Sequence, residues 1–139
     1  MLQPNKILVI RFSSLGDLIL TSPIFRELRR IFPGANLNLL TSVGFGDVLD
    51  NNPHLDRIIK HPRKENFEQL NQLIEELQAE EFDLIYDAHR SMRSRWIVSR
   101  LTAFGMKRQP AVWKINKRTL NRKLLIHLGW NRLQQGLSQ

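Results

Sequence analysis

Residues 11–17, Arg11-Phe12-Ser13-Ser14-Leu15-Gly16-Asp17, place one guanidinium, two hydroxyls, one glycine and one carboxylate in a single short turn. A carboxylate on a rigid element can take a proton from a hydroxyl held within about 3 Å of it. Asp17 stands where a helix should begin, so a reactive group there would be held on a rigid element; its simpler alternative is a helix N-cap. Ser13, Ser14 and the backbone near Gly16 can hydrogen-bond ligand hydroxyls or a phosphate, against the simpler alternative of turn formation. Gly16 reads as a backbone requirement rather than a contact. Arg11 can hold a carboxylate or phosphate of a ligand, or pair with Asp87, and the pair is favoured.

A second group lies at Asp87, His89, Arg90 and Arg93. Arg93 is the best candidate for an anionic group, because a guanidinium fork binds such groups bidentately. His89 is a further polar contact, although a lone histidine is more often structural. The His/Asp spacing is poor for a metal, and no metal site is expected. A third group, Lys114, Lys117, Arg118, Arg122 and Lys123, would face an anionic ligand or an anionic membrane.

These residues need elements to position them. Ile7–Ile10 reads as a buried strand, and 18–32 as a helix that Pro23 kinks or Ser22-Pro23 restarts. Asn36–Thr41 reads as the next strand, 44–49 as a short helix, and Arg57–Lys60 as a third strand. Phe67, Leu70, Leu73, Ile74 and Leu77 recur with helical spacing over 66–80. Phe82–Tyr86 is a fourth strand. Residues 91–104 form a helix with Met92, Trp96, Ile97 and Leu101 on its apolar side. Ala111–Trp113 is a short strand, and 117–128 a basic amphipathic helix with Leu120, Leu124, Leu125 and Leu128 apolar. Strand and helix alternate, which predicts an α/β fold: a Rossmann-like parallel sheet with helices on both faces. The first turn then lies at the carboxyl edge, where such sheets bind ligands. One domain is expected over 1–128, with 129–139 a tail or the start of a linker.

The 139 residues suffice for one core. There is no cysteine, which excludes disulfides and thiolate metal sites. The apolar run at the amino end stops at Arg11, too soon for a signal peptide. No stretch approaches the roughly 20 apolar residues that span a bilayer. Neither a G-x-G-x-x-G turn nor a phosphate-binding P-loop is present, so no bound dinucleotide cofactor is expected. The net charge of +8 is segregated: residues 88–139 carry 12 Lys/Arg and no acid, whereas residues 1–87 carry 9 Lys/Arg and 13 Asp/Glu. Such a basic half suits an anionic partner. The aromatic residues sit at core-like positions and no nucleic-acid module is recognisable, so a nucleic-acid partner is not expected.

The stretch Arg11 to Pro23 resembles the opening of glycosyltransferase family 9, the lipopolysaccharide heptosyltransferases. Phe82 to Ser94 resembles that family's strand-to-helix segment, and Lys114 to Leu128 its next basic stretch. The resemblance covers essentially all of the chain, but only about the N-terminal half of such an enzyme. It implies the acceptor-binding half of a two-domain GT-B transferase, with the nucleotide-sugar donor held by a C-terminal domain that the sequence does not contain. It further implies a metal-independent, inverting transfer of heptose from ADP-heptose to the lipopolysaccharide core, with Asp17 as general base. Arg90 departs from the family pattern, which often has glycine there. The expected setting is cytoplasmic, peripheral at the inner face of the inner membrane. The alternatives are a truncated anion-binding domain without turnover and, further off, a basic nucleic-acid-binding protein.

Overall fold

A computed structural model describes residues 2–12 and 14–114. Five strands form one sheet: β1 (Lys6–Ile10), β2 (Asn36–Ser42), β3 (Arg57–His61), β4 (Leu84–Asp87) and β5 (Ala111–Lys114). All four pairings are parallel, and the order across the sheet is β3-β2-β1-β4-β5. This is the predicted α/β architecture, with every predicted strand present.

The alternation of side chains along β1 explains the layers. Ile7 and Val9 point to one face and pack with Leu18, Phe25, Leu28, Leu37 and Leu39. Leu8 and Ile10 point to the other and pack with Leu40, Leu73, Ile74, Leu77, Ile85 and Ile97. Because β1 is buried on both faces, its sequence is a continuous apolar run rather than an alternating one. The first face is covered by α1 (Leu15–Leu20) and α2 (Ser22–Ile31), and the second by α3 (Phe67–Ala79) and α4 (Met92–Leu101).

The single helix expected over 18–32 is two. Thr21 lies between them, with its hydroxyl donating to the Asp17 carbonyl at 2.7 Å, and Pro23 sits in the first turn of α2. Proline has no N–H to give the preceding turn, so the chain restarts there. The short element near 44–49 is a 3-10 turn, Gly46–Leu49. The apolar side expected for α4 needs correction. Its buried residues are Ser94, Ile97 and Leu101, whereas Met92 is 89% and Trp96 42% exposed. The helix turned so that the small Ser94 faces the sheet and reaches Asp87.

Two carboxylates stitch the amino edge of the sheet. Asp83 Oδ2 accepts from the amides of Asn5 at 2.8 Å and Lys6 at 2.9 Å. Asp56 Oδ2 accepts from the Leu37 amide at 2.7 Å and from Arg29 Nη2 at 2.6 Å. Partial burial of Asp56 raises its carboxyl pKa, but the Leu37 amide and Arg29 outweigh this and hold it below the ordinary value.

Candidate functional site

The chain leaves β1 toward β2 on one side, and β4 lies on the other. The carboxyl ends of β1 and β4 therefore flank the point where the strand order reverses, the position at which open parallel sheets bind ligands. Arg11 follows β1 and Ala88 follows β4, in registers that set Ile10 opposite Asp87. Arg11 ties the two loops together: its Nη1 donates to the Ala88 carbonyl at 2.6 Å, and its Nη2 lies 2.9 Å from Asp17 Oδ2.

Asp17 is not the N-cap of α1. Ser14 is, and Asp17 stands three residues on, completing a capping box. Its Oδ2 accepts from the Ser14 hydroxyl at 3.1 Å and the Ser14 amide at 3.4 Å. All of these contacts fall on Oδ2; among the described residues Oδ1 accepts no hydrogen bond. The Asp17 side chain is 52% exposed and that of Arg11 12%. Partial burial raises the Asp17 pKa, but the hydrogen bonds from Ser14 and the charge and hydrogen bond of Arg11 outweigh it, leaving the carboxyl below its ordinary value. The carboxylate is thus ionised at neutral pH, clamped through one oxygen.

The expected Arg11–Asp87 pair does not form. Asp87 is buried and holds its own loop instead: Oδ1 accepts from the amides of His89 at 3.1 Å and Arg90 at 2.8 Å, and Oδ2 from Ser94 Oγ at 3.1 Å. Ser91 caps α4, accepting from the Ser94 amide. The loop bends through Arg90 at φ 55°, a left-handed conformation that favours glycine. Gly16 shows the reverse. Its φ is not left-handed, and a Cβ added there would meet nothing within 4 Å. The described fold therefore does not require glycine at 16, and the space beside it is open.

Arg93 is brought to the same edge but is already engaged. Its guanidinium lies 3.9 Å over the Phe12 ring, Nε is 2.5 Å from Glu65 Oε1, and Nη2 donates to the Pro62 carbonyl at 3.2 Å. His89 meets Phe12 edge-on, with ring centroids 5.9 Å apart. Lys114 ends β5 opposite Asp87 and is exposed, so it too stands on the carboxyl edge. Ser13, Lys117, Arg118, Arg122 and Lys123 lie outside the described residues. Sequence reasoning missed Glu65, whose side chain is only 8% exposed and pairs with both Arg93 and His61. Nothing local marks it: the three residues come from a loop, a helix start and a strand end that only the fold brings together. No group of three or more potential metal ligands is found among the described residues.

A groove lined by Leu2, Pro4, Phe32, Pro33 and Trp113 opens at the amino end of the sheet, on the far side from Asp17.

The chain and its 3-2-1-4-5 sheet are similar to known proteins. The chain is 26% identical over 118 residues to lipopolysaccharide heptosyltransferase 1 of Pseudomonas aeruginosa, covering 76% of this chain and 33% of that one. It is 28% identical over 111 residues to lipopolysaccharide heptosyltransferase 1 of Escherichia coli, covering 73% and 34%. This chain resembles the heptosyltransferases of glycosyltransferase family 9. Its fold matches a glycosyltransferase family 9 structure from Veillonella parvula with a TM-score of 0.73 at 21% identity, over 95% of this chain and 44% of that one. It matches the E. coli heptosyltransferase WaaC, solved with ADP-2-deoxy-2-fluoro heptose, with a TM-score of 0.65 at 24% identity, over 91% and 41%. No protein-family model matches the chain. The chain spans about a third of the length of the curated relatives it matches. Among the described residues no helix is long and apolar enough to cross a membrane.

Proposed function

We propose that this chain is the acceptor-side domain of a heptosyltransferase-like glycosyltransferase. In that reaction heptose passes from ADP-heptose to a sugar of the lipopolysaccharide core. The observation that carries the reading is the one-sided clamp on Asp17. Arg11 and Ser14 fix Oδ2, and Oδ1 is left to accept a proton from an acceptor hydroxyl. As that oxygen bonds to the anomeric carbon, the proton passes to Asp17 and the carbon–oxygen pair leaves with ADP, inverting the centre. A carboxyl held below its ordinary value is a weak base toward a ground-state hydroxyl. It becomes competent as the attacking oxygen gains positive character, so proton transfer falls late in bond formation.

Open space beside Gly16 admits the acceptor ring. Lys114 and the outer edge of Arg93 would meet its anionic groups, with His89 and Ser14 as further polar contacts. Donor binding and the nucleotide would come from a second domain, as the coverage of the relatives suggests, with no resident metal or cofactor. The reaction would take place on the cytoplasmic side of a membrane carrying the acceptor.

A second reading, an anion-binding domain without turnover, is favoured by the segregated charge, with 12 Lys/Arg and no acid over residues 88–139. A transfer assay with ADP-heptose and heptose-deficient lipopolysaccharide separates the two. The chain is tested alone and with a separately produced donor domain, using Asp17→Asn as control. Turnover with the donor domain, lost in Asp17→Asn, supports the transferase. Binding of the lipopolysaccharide without turnover in either mixture supports the second reading.

A further inference from the structure

The corrected orientation of α4 leaves a surface that the transfer reaction does not use. Met92, Arg95, Trp96, Ser99 and Arg100 all face solvent, and their i, i+3, i+4, i+7 and i+8 spacing makes them one stripe. The stripe runs about 12 Å along the helix. Beyond its end, at the turn made by Gly105 with φ 91°, Phe104 is fully exposed. Arg100 lies 5.8 Å from the Trp96 ring centroid. Lys107 follows, 84% exposed and paired at its tip with Glu81. No acidic residue occurs anywhere from 88 to 139.

We infer that this face of α4, from Met92 to Phe104, is a docking surface for an anionic lipid bilayer. Three features favour a bilayer. The apolar side chains project from a convex helix and a turn, a shape suited to insertion at the headgroup level rather than to stacking bases in a groove. The cations flank them and can keep their charge among lipid phosphates while their stems lie along apolar surface. Trp96 and Phe104 are the residue types that gain most at a wet–dry boundary. The neighbouring α3 presents Glu68, Glu75 and Glu76 to solvent, so the bilayer must meet α4 on the side away from α3, toward Phe104 and β5. The stripe begins at the amino end of α4, beside the loop after β4. Docking there holds the loop that carries Asp17 close to headgroups without covering it. The surface goes beyond the transfer reaction and stands without it.

The test uses vesicles that contain no lipopolysaccharide, so it does not depend on transferase activity. The full 139-residue chain is co-sedimented with vesicles of phosphatidylcholine alone and of phosphatidylcholine with phosphatidylglycerol in equal parts. Binding only to the anionic vesicles is expected. Phe104→Ser should weaken it about tenfold, from the loss of one inserted ring. Arg95→Glu should weaken it by about tenfold or more, since each basic residue near an anionic surface contributes about fivefold. Arg26→Glu, the same charge change on the exposed face of α2, should leave binding within about twofold. These side chains are exposed, and a thermal melt confirms that each variant is folded. Equal loss in Arg26→Glu and Arg95→Glu would reduce the effect to net charge and overturn the surface. So would binding indifferent to phosphatidylglycerol, or failure of the folded chain to bind vesicles at all.

Discussion

Replacing Arg11 by methionine separates the two jobs its guanidinium performs. The substitution keeps an apolar stem of similar length in a side chain that is 12% exposed, so packing is largely preserved. It removes the 2.9 Å ion pair with Asp17 and the 2.6 Å bond to the Ala88 carbonyl. Asp17 is half-exposed, so solvent screens the pair, which contributes at most about 1 kcal/mol. The bond to Ala88 is less exposed and donated by a charged group, and contributes about 1.5 kcal/mol or more. Methionine also relieves the buried Nε, which has no hydrogen-bond partner among the described residues. The net cost expected at neutral pH is about 1–2 kcal/mol, with a fall of roughly 3–4 °C in Tm per kcal/mol for a domain of this size.

The pH dependence identifies the Asp17 share. In the native protein the Asp17 pKa is lowered, so its contribution is present above the unfolded-state value. It is lost as pH falls through the folded value. The stability gap between the native chain and Arg11→Met should therefore narrow below about pH 4, without closing, since the Ala88 bond does not titrate. Carbon-detected NMR titration of the Asp17 carboxyl should show its midpoint moving up in the variant. A gap that is constant from neutral to acid pH, or an Asp17 midpoint that does not move, would refute the clamp.

Three other outcomes follow from the same geometry. Gly16→Ala should leave stability unchanged or raise it by up to about 1 kcal/mol, from helix propensity, because the new Cβ meets nothing; it should lower transfer in the two-domain assay by crowding the acceptor. Arg90→Val should cost about 1–3 kcal/mol in chemical denaturation because a branched residue resists φ 55°, whereas Arg90→Gly should cost less than 1. Asp87→Ala should lower stability by about 3–5 kcal/mol, since it strips a buried carboxylate from two amides and the Ser94 hydroxyl. Ser94→Ala, which removes one of those partners, should cost clearly less, and equal losses in the two melts would refute the account of the loop.

The strands were legible because a doubly covered parallel strand has to be apolar throughout, as Ile7–Ile10 and Leu84-Ile85 are. The helix starts were legible where a cap is written locally, as at Asn66 and Ser91. Two readings failed for a common reason. Placing Met92 and Trp96 on the buried side of α4 assumed that apolar residues turn inward. The helix instead faces the sheet with Ser94, because the hydroxyl reaches the buried Asp87 carboxylate there. Pairing Arg11 with Asp87 assumed that adjacent strand ends meet. Asp87 is consumed by the amides of its own turn, and Arg11 turns to Asp17.

By itself the sequence determined the alternating elements, the parallel sheet, and the turn that carries Asp17 at its carboxyl edge. These follow from hydrophobic period, cap and turn chemistry, which act over a few residues. Only the tertiary structure decided which charges meet. It set Arg11 between Asp17 and the Ala88 carbonyl, set Glu65 between His61 and Arg93, left one oxygen of Asp17 without a hydrogen bond among the described residues, and turned Met92, Trp96 and Phe104 outward. Each of these depends on groups far apart in the chain or on a choice between burying an apolar side chain and satisfying a buried carboxylate, and a local pattern does not encode that balance.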